Sequence, residues 1–381
     1  MTTGRAFRRA AAGLCTLGLG LTVWAAVPMA QASAATYRYS LSKIAFTGSR
    51  LAIAASDSHG DLYYFWQKAG TNAWHKQLVA AGGHGKAYSK PSIAWTGSKV
   101  VIASLDASHD VVAFTQHSSA WKRTVVAKGS GGKYQAPSIA AVGGGAVLIT
   151  AGKPGQLASF ELASGGSTWT HLTVGFGNFG APSIITCYDS LASKYLALIT
   201  ATSGGTLYFW WEFVSAPGWN QQTVATAGPG GSYSSPSLAA STSKLMITAA
   251  TTAGAVDTWS QSIGGTGWSE QTVATGGGNR YSHPVITWTG PVNGGPVSYF
   301  VIAATSQKGK LAYWWQQVGF TPWNPETVAS TGKHAAYANP AISVTGKSVI
   351  ITAINTKHGD VDFWHQSFTT NPWHKQLVAA G

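Results

Sequence analysis

Histidine and aspartate occur close together at three places in this chain of 381 residues. The three pairs are His59 and Asp61, His109 and Asp110, and His358 and Asp360. A histidine beside a carboxylate could act as an acid–base pair or bind a metal ion, because imidazole titrates near neutral pH. The pairs lie, however, in short segments rich in Asp, Ser, Gly and Lys, which are typical of solvated turns. We therefore predict turn residues there, with no catalytic group and no metal site.

Glutamate side chains are the other candidates for acid–base chemistry. The chain has four of them, Glu161, Glu212, Glu270 and Glu326. Hydrolysis of a glycosidic bond generally requires two carboxyl groups at a fixed separation, whereas these four occupy unequal positions of separate repeats. The sequence also lacks an EF-hand-like loop, clustered cysteines and a His-x-x-x-His motif. We predict that the protein is not an enzyme and that it has no cofactor.

An internal repeat determines the elements that must position these residues. The first aromatic marker opens phrases such as "YSKPSIAWTG" and falls at Tyr39, Tyr88, Tyr134, Phe179, Tyr233, Tyr281 and Tyr337. The second marker lies in the middle of each unit, at Phe65, Phe114, Phe160, Trp210, Trp259, Trp314 and Trp364. The third lies near the end of each unit, at Trp74, Trp121, Trp169, Trp219, Trp268, Trp323 and Trp373. Three markers in register over seven units indicate a repeat fold.

Each unit contains four short runs of β-branched and aromatic residues that are separated by Gly, Ser, Asn or Asp. In the second unit these runs are "PSIAWT", "KVVIASL", "DVVAFTQ" and "WKRTVVA". None of them has a helical period, so each is predicted to be a strand. Four antiparallel strands in a unit of this length form one propeller blade. The predicted fold class is all-β, a seven-bladed β-propeller of four-stranded antiparallel blades.

The predicted propeller domain covers residues 35–381. Its repeats lie near 37–86, 87–133, 134–178, 179–232, 233–280, 281–336 and 337–381. Residues 1–34 combine basic residues, an apolar run and a small-residue end, the pattern of a cleaved secretory signal peptide. We therefore expect a secreted, extracellular protein. Loss of this leader would remove Cys15 and leave Cys187 alone, so that no intramolecular disulfide could form.

The charge of the predicted mature chain bears on its partners. The leader carries three of the 25 basic residues and none of the 12 acidic ones, so the remaining chain is basic. Its lysines are scattered over all units without a basic run, which argues against a dedicated nucleic-acid site. The same scatter argues against a dedicated site for an anionic polymer such as a teichoic acid or a sulfated glycan, and favours solubility and weak attraction to cell surfaces. After the leader no stretch is long and apolar enough for membrane insertion. The sequence leaves the oligomeric state open.

The order of the strands predicts which side chains share a face. If strands A to D follow one another in each blade, the D-to-A and B-to-C connections lie on one face of the ring. That face would carry the first aromatic marker, the residue two positions later and the aspartates of the B-to-C turns. An aromatic ring can stack on the C–H face of a sugar, while polar groups bind its hydroxyls. The predicted carbohydrate-binding residues are Tyr39, Tyr88, Tyr134, Tyr233, Tyr281, Tyr337, Asp61, Asp110, Asp360, His283 and Asn339.

Other roles are open for several of these aromatic residues. A tyrosine shortly before a proline can instead cap the neighbouring blade, with its hydroxyl bonded to the backbone. The second and third markers are expected in the core. The glutamines that follow the second marker are expected to satisfy buried backbone groups; they are Gln67, Gln116, Gln261, Gln316 and Gln366. Beside them, Trp66, Trp211 and Trp315 could form a second aromatic platform on the opposite face.

Tandem units of this length, with an aromatic-x-x-Pro-Ser-Ile opening, a Phe/Trp-x-Gln strand and a Trp-led last strand, resemble a known family. It is the family of bacterial seven-bladed propeller lectins typified by the Photorhabdus lectin, and the resemblance covers nearly the whole predicted mature chain. It implies a monosaccharide pocket between adjacent blades, fucose or O-methylated sugars as ligands, and multivalent attachment to glycans or glycoconjugates.

The functional hypothesis is accordingly a secreted, multivalent, lectin-like propeller that binds carbohydrate. Two alternatives from other classes stay open, because one propeller fold supports many functions. The first is a protein-interaction scaffold at the cell surface or in the medium. The second is a glycan-cleaving enzyme, which would require acidic side chains that converge on the central channel.

Overall fold

The computed structural model describes residues 38–83, 87–189, 192–214, 216, 218–228, 231–332, 335–368 and 372–381. The predicted signal peptide, residues 1–34, lies outside the described residues. Within them the chain forms 28 strands and two short 3-10 turns, Gly129–Gly131 and Val292–Gly294. The described part of the chain has no helix with the length and apolarity needed to cross a bilayer.

The strands follow one another in seven groups of four. Blade 1 contains β1 (Tyr39–Phe46), β2 (Arg50–Asp57), β3 (Leu62–Lys68) and β4 (His75–Ala80). Blade 2 contains β5 (Ser89–Trp95), β6 (Val100–Leu105), β7 (Val111–His117) and β8 (Ala120–Ala127). Blade 3 contains β9 (Ser138–Ala141), β10 (Val147–Lys153), β11 (Gln156–Leu162) and β12 (Trp169–Phe176). Blade 4 contains β13 (Ser183–Asp189), β14 (Lys194–Ser203), β15 (Thr206–Phe213) and β16 (Asn220–Ala225).

The remaining blades repeat this arrangement. Blade 5 contains β17 (Tyr233–Ala240), β18 (Lys244–Thr251), β19 (Val256–Ser262) and β20 (Ser269–Ala274). Blade 6 contains β21 (Tyr281–Trp288), β22 (Tyr299–Ser306), β23 (Leu311–Gln317) and β24 (Asn324–Ala329). Blade 7 contains β25 (Tyr337–Val344), β26 (Ser348–Asn355), β27 (Asp360–Ser367) and β28 (His374–Ala379). In every blade each strand pairs antiparallel with the next, in the order A–B–C–D. The predicted seven-bladed propeller of four-stranded blades is confirmed.

The burial of a strand depends on its distance from the axis of the ring. The A strands of all seven blades line a central cavity of about 380 Å³. Strand B is covered on both faces by the neighbouring blades, so a sequence such as β6 (Val100–Leu105) is buried throughout. Strands apolar on both sides suit that position. Strand D is outermost, and in β4 (His75–Ala80) every residue is exposed or half-buried.

The blades pack on one another through apolar clusters, and each of the seven interfaces holds at least one. Complete burial of a large apolar side chain contributes about 1.5–3 kcal/mol. In the described residues the one cysteine, Cys187, is free. Packing between blades therefore stabilises this ring without a disulfide.

The ring closes where blade 1 meets blade 7, without exchange of a strand between them. The amide N–H of Tyr39 donates to the carbonyl of Gly359 at 3.0 Å, as Tyr88 does to Gly60 of blade 1 at 2.8 Å. Further out, the ring of Trp74 packs edge-on against Phe363 with the centroids 5.3 Å apart. The closing interface thus repeats the contacts made between sequential blades.

Candidate functional site

The lead tyrosines lie at or shortly before the start of the A strands, and their rings turn into the interfaces between blades. The exposed fraction is 3% for Tyr39, 5% for Tyr88 and Tyr337, 4% for Tyr134 and 9% for Tyr281, while Tyr233 is half-buried. Each ring packs edge-on against the second aromatic marker of its own blade, at centroid separations from 4.9 Å (Tyr233–Trp259) to 6.1 Å (Tyr134–Phe160). The exposed platform expected from the sequence does not form, because these packed neighbours enclose the rings. A role of the tyrosines in sugar binding stays a prediction.

The predicted aspartates of the B-to-C turns bind the backbone of the propeller. One carboxylate oxygen of each accepts the N–H of the second residue after strand D, at 2.5 Å for Asp61 and Gly82 and 2.6 Å for Asp110 and Gly129. Asp360 accepts the N–H of Gly381 in the same way, at 2.9 Å. The other oxygen of Asp61 accepts the hydroxyl of Tyr63 at 3.0 Å. These carboxylates tie the B-to-C turn to the D-to-A connection. The described residues contain no cluster of His, Cys, Asp and Glu that could hold a metal ion.

His283 and Asn339 lie apart from those aspartates, at the mouth of the central channel. They occupy the position two residues after the lead tyrosine, where strand A makes a register shift against strand B. His283 and Asn339 have φ values of 50° and 51°, a left-handed conformation that places them at the rim. Both line a cavity of about 550 Å³ together with residues from all seven A strands. The predicted site residues therefore form separate groups instead of seven equivalent pockets.

A different cavity lies on the opposite face, between blades 1 and 2. It has a volume of about 560 Å³, and Arg50, Tyr64, Trp95, Lys99 and Gln116 are among its lining residues. Arg50 begins strand B of blade 1, Trp95 ends strand A of blade 2, and Gln116 lies on strand C of blade 2. An aromatic ring, an amide and two cations therefore surround one space.

Two identical turns fix the basic residues of this cavity. In each A-to-B turn a threonine hydroxyl accepts the N–H of the basic residue three positions later. The distances are 3.0 Å from Arg50 to Thr47 and 3.1 Å from Lys99 to Thr96. Both cations are exposed at the rim. Burial raises the pKa of Tyr64 to about 12 although Arg50 acts in the opposite direction, so the phenol stays neutral at physiological pH.

Gln116 differs from most glutamines at the same position of strand C. The amide nitrogens of Gln67, Gln316 and Gln366 donate to a side chain on strand D of the preceding blade, at 3.0, 3.1 and 2.9 Å. For these three glutamines the partner is a glutamine or glutamate across the interface instead of the expected backbone group, whereas the amide of Gln261 donates to the carbonyl of Gly265 as expected. Within the described residues the side-chain amide of Gln116 has no hydrogen-bond partner. Its amide is half-buried at the cavity and available to a ligand.

The sequence carried a signal for this cavity that the prediction missed. Strand A of blades 1 and 2 ends in the phrases "AFTGSR" and "AWTGSK", so that an aromatic residue precedes a Thr-Gly-Ser turn and a base. The phrase "TWTG" repeats its first half at Trp288 in blade 6. The recurrent pairing of an aromatic residue with a basic one was a candidate binding motif.

The tryptophans considered as a second platform differ in how open their rings are. Trp66 stacks on Tyr64 and on His75, with centroid separations of 5.3 and 5.1 Å. Trp211 stacks on Phe209 at 5.8 Å, whereas Trp315 is 36% exposed. The three rings therefore do not form a uniform platform.

Two carboxyl groups approach each other at the interface of blades 3 and 4. Glu212 is buried, and burial together with the nearby Glu161 raises the pKa of Glu212 to about 7. This pair lies on the C strands, away from the central channel. The residues that line the channel cavities include no Asp or Glu. The converging acids expected of a central-channel glycosidase are thus not among them.

Known structures resemble this propeller in fold. The BP39L lectin from Burkholderia pseudomallei has a TM-score of 0.64 at 14% identity, with 90% of this chain and 100% of that chain covered. AofleA from Arthrobotrys oligospora has a TM-score of 0.53 at 16% identity, with 78% and 88% covered. The Aleuria aurantia lectin, described as a six-bladed β-propeller with a novel fucose recognition mode, has a TM-score of 0.50 at 11% identity, with 91% and 95% covered. No protein-family model and no curated protein matches this sequence. At these identities the likeness shows a shared propeller fold.

Proposed function

We propose that this protein is a multivalent, lectin-like propeller that binds carbohydrate and performs no catalysis. The observation that carries the proposal is the cavity between blades 1 and 2, where Trp95, Gln116 and Arg50 line one space. The propellers that it resembles include two described as lectins, one of them with a fucose recognition mode. The Photorhabdus-type lectins that the sequence motifs resemble support the same class of ligand.

The chemistry of this cavity suits a neutral sugar. The apolar face of a pyranose can pack on the ring of Trp95. The amide of Gln116 can donate to one hydroxyl and accept from another, while Arg50 and Lys99 supply further donors. No carboxylate lines the cavity, so its hydrogen bonds to a sugar would come mainly from donors on the protein.

Multivalency follows from the repetition of the aromatic position. Phe46 of blade 1 and Trp288 of blade 6 occupy the place that Trp95 has in blade 2. Three interfaces would then carry an aromatic residue at this place and would bind one glycan surface together. Weak sites gain avidity in this way without tight individual affinity. Secretion through residues 1–34 belongs to the proposal, because a glycan surface lies outside the cell.

Isothermal titration of the full chain with methyl α-L-fucoside, after a glycan array, tests this function. We expect measurable binding, and we expect Trp95→Ala to weaken it about tenfold, the equivalent of about 1.4 kcal/mol. Phe176→Ala is the matched control, since it removes an aromatic ring that is 85% exposed on another part of the surface. Absence of binding to every arrayed glycan would refute a carbohydrate ligand and favour a protein partner. An equal loss in both variants would refute this cavity.

A further inference from the structure

The mouth of the central channel on the D-to-A face concentrates positive charge. Lys43, Lys90 and His283 line one cavity of about 550 Å³, and Asn339 is among its other lining residues. Lys43, Lys90 and His283 are the only charged or titratable side chains among the described residues that line this cavity, and no Asp or Glu is among those residues. No salt bridge involves either lysine in the described part of the chain. Uncompensated cations inside a cavity attract an anion, because field lines concentrate between low-dielectric walls.

Several residues at this rim have an unusual backbone conformation. Lys90, Ser235, His283 and Asn339 have φ values between 49° and 52°. For residues other than glycine, this left-handed conformation is unfavourable by about 1–2 kcal/mol. A register shift of strand A accompanies it in blades 2, 5, 6 and 7. Such strain in equivalent positions suggests a function for the side chains that it positions.

Lys43 departs from a pattern that most A strands share at its position. Four other blades have a serine at its position, namely Ser92, Ser138, Ser183 and Ser237. Three of these hydroxyls accept a backbone N–H from the next blade, for example that of Ile139 at 3.2 Å. An ammonium group cannot accept such a bond. Blade 1 therefore places a cation where its neighbours place a structural hydroxyl.

The pKa values of Lys43 and His283 reflect their position at the channel mouth. Burial lowers the pKa of Lys43 from its ordinary value. The pKa of His283 is lowered by burial and by the charge of Lys43. A negative ligand in the channel mouth would favour the charged form of both side chains and so raise both pKa values.

We propose that the channel mouth binds an oxyanion, meaning a carboxylate, sulfate or phosphate group, between Lys43, Lys90 and His283. Lys43 approaches the anion from the channel side and Lys90 from the rim. His283 of blade 6 supplies a further donor at the same mouth, beside Asn339, whose amide N–H donates to the carbonyl of Ser40 at 2.9 Å. The ligand is either a free ion or the acidic group of a glycan. The site lies on the face opposite the cavity between blades 1 and 2, so the two sites can be tested separately.

The test is an NMR titration of the imidazole of His283 in the full chain, in sodium sulfate and in sodium chloride of equal ionic strength. Sulfate should raise the pKa of His283 by half a unit or more relative to chloride. Lys43→Met should abolish this difference, and Lys90→Gln, at an exposed rim position, should reduce it without a risk to folding. Lys99→Met removes a lysine from the opposite face and should leave the difference intact.

The source of the anion is resolved by a second arm with a sulfated heparin disaccharide. Binding of the disaccharide that is lost in Lys43→Met identifies a glycan acid, whereas a response to sulfate alone identifies a free ion. Equal pKa values of His283 in sulfate and chloride would overturn the proposal. A sulfate response that persists in both Lys43→Met and Lys90→Gln would overturn it as well. Titration with methyl α-L-fucoside in parallel shows whether the sugar cavity stands or fails independently.

Discussion

Blade 1 has two interfaces that are built from the same repeat and behave differently. Toward blade 7, Gln67 donates to Gln376 at 3.0 Å, and the indole N–H of Trp74 donates to the same oxygen at 3.2 Å. Toward blade 2, the corresponding Gln116 lines an open cavity. The residue that could have faced Gln116, Gln77, donates instead to the carbonyl of Ser119. The two interfaces of blade 1 thus differ by one hydrogen-bonded pair of side chains. The pair is present at the closed structural interface and absent at the candidate binding site.

The interface of blades 3 and 4 shows a third outcome. There the strand C residue is Glu212 and the strand D position that would face it is Leu172. Within the described residues one carboxylate oxygen of Glu212 has no hydrogen-bond partner, and burial of the group raises its pKa, although a backbone hydrogen bond from Gly218 acts in the opposite direction. The chemistry of each interface is therefore decided by a pair of residues from strands C and D of adjacent blades.

The largest expected effect is at the closing interface. Trp74→Ala should lower the free energy of unfolding by about 2–4 kcal/mol, since it removes a large ring from the non-covalent closure. Trp169→Ala is the control, because its cluster contains Ala113 in place of an aromatic partner, and its loss should be smaller. Urea unfolding followed by tryptophan fluorescence measures both. Equal losses would show that edge-on contact with Phe363 adds nothing to closure.

A smaller effect should depend on pH at the interface of blades 3 and 4. Glu212 has a pKa of about 7 in the folded chain against an ordinary value of 4.5. The folded state therefore holds a proton that the unfolded state releases, and stability should fall as pH rises through this window. Glu212→Gln should flatten that decline and stabilise the chain by about 1–3 kcal/mol at pH 8. Thermal unfolding between pH 4 and pH 8 measures this, with Glu270→Gln, at an exposed position of β20, as control. A wild-type profile parallel to that of Glu212→Gln would contradict it.

The smallest effects should separate the two interfaces of blade 1. Gln67→Leu should cost about 1 kcal/mol of stability, through loss of its bond to Gln376, with no change in sugar affinity. Gln116→Leu should leave stability nearly unchanged and weaken fucoside binding about two- to tenfold, as expected for one hydrogen bond. Chemical denaturation and calorimetry on both variants provide the comparison. The opposite assignment of effects would remove the distinction between a structural and a ligand-binding glutamine.

The sequence predicted the propeller well because its signal is repeated. Seven copies of the same aromatic markers specify strand order, blade number and interface packing together. The candidate site was harder to predict, because the direction in which a side chain points depends on the local backbone conformation. The sequence places the lead tyrosines in connections between strands, where an exposed ring is expected. Their rings nevertheless pack against the mid-unit aromatics and become buried. His283 and Asn339 reach the channel mouth through a strand irregularity that periodicity does not reveal.

The cavity between blades 1 and 2 depends on differences between repeats, whereas the prediction relied on what the repeats share. The position of Trp95 carries an aromatic residue in three blades, and the position of Gln116 carries a glutamine in five. Only the conformation of Gln77, on the neighbouring strand D, determines that Gln116 lacks a partner. Such a side-chain choice follows from packing across an interface and cannot be read along one strand.

The most direct measurement is a crystal structure of the protein soaked with methyl α-L-fucoside. We expect sugar density between blades 1 and 2, with the pyranose against Trp95 and a hydroxyl within hydrogen-bond distance of Gln116. Density on the other face, beside Tyr88 and Asp61, would contradict this placement and support the residues predicted from the sequence. Empty interfaces at saturating fucoside would contradict binding of this sugar at either place.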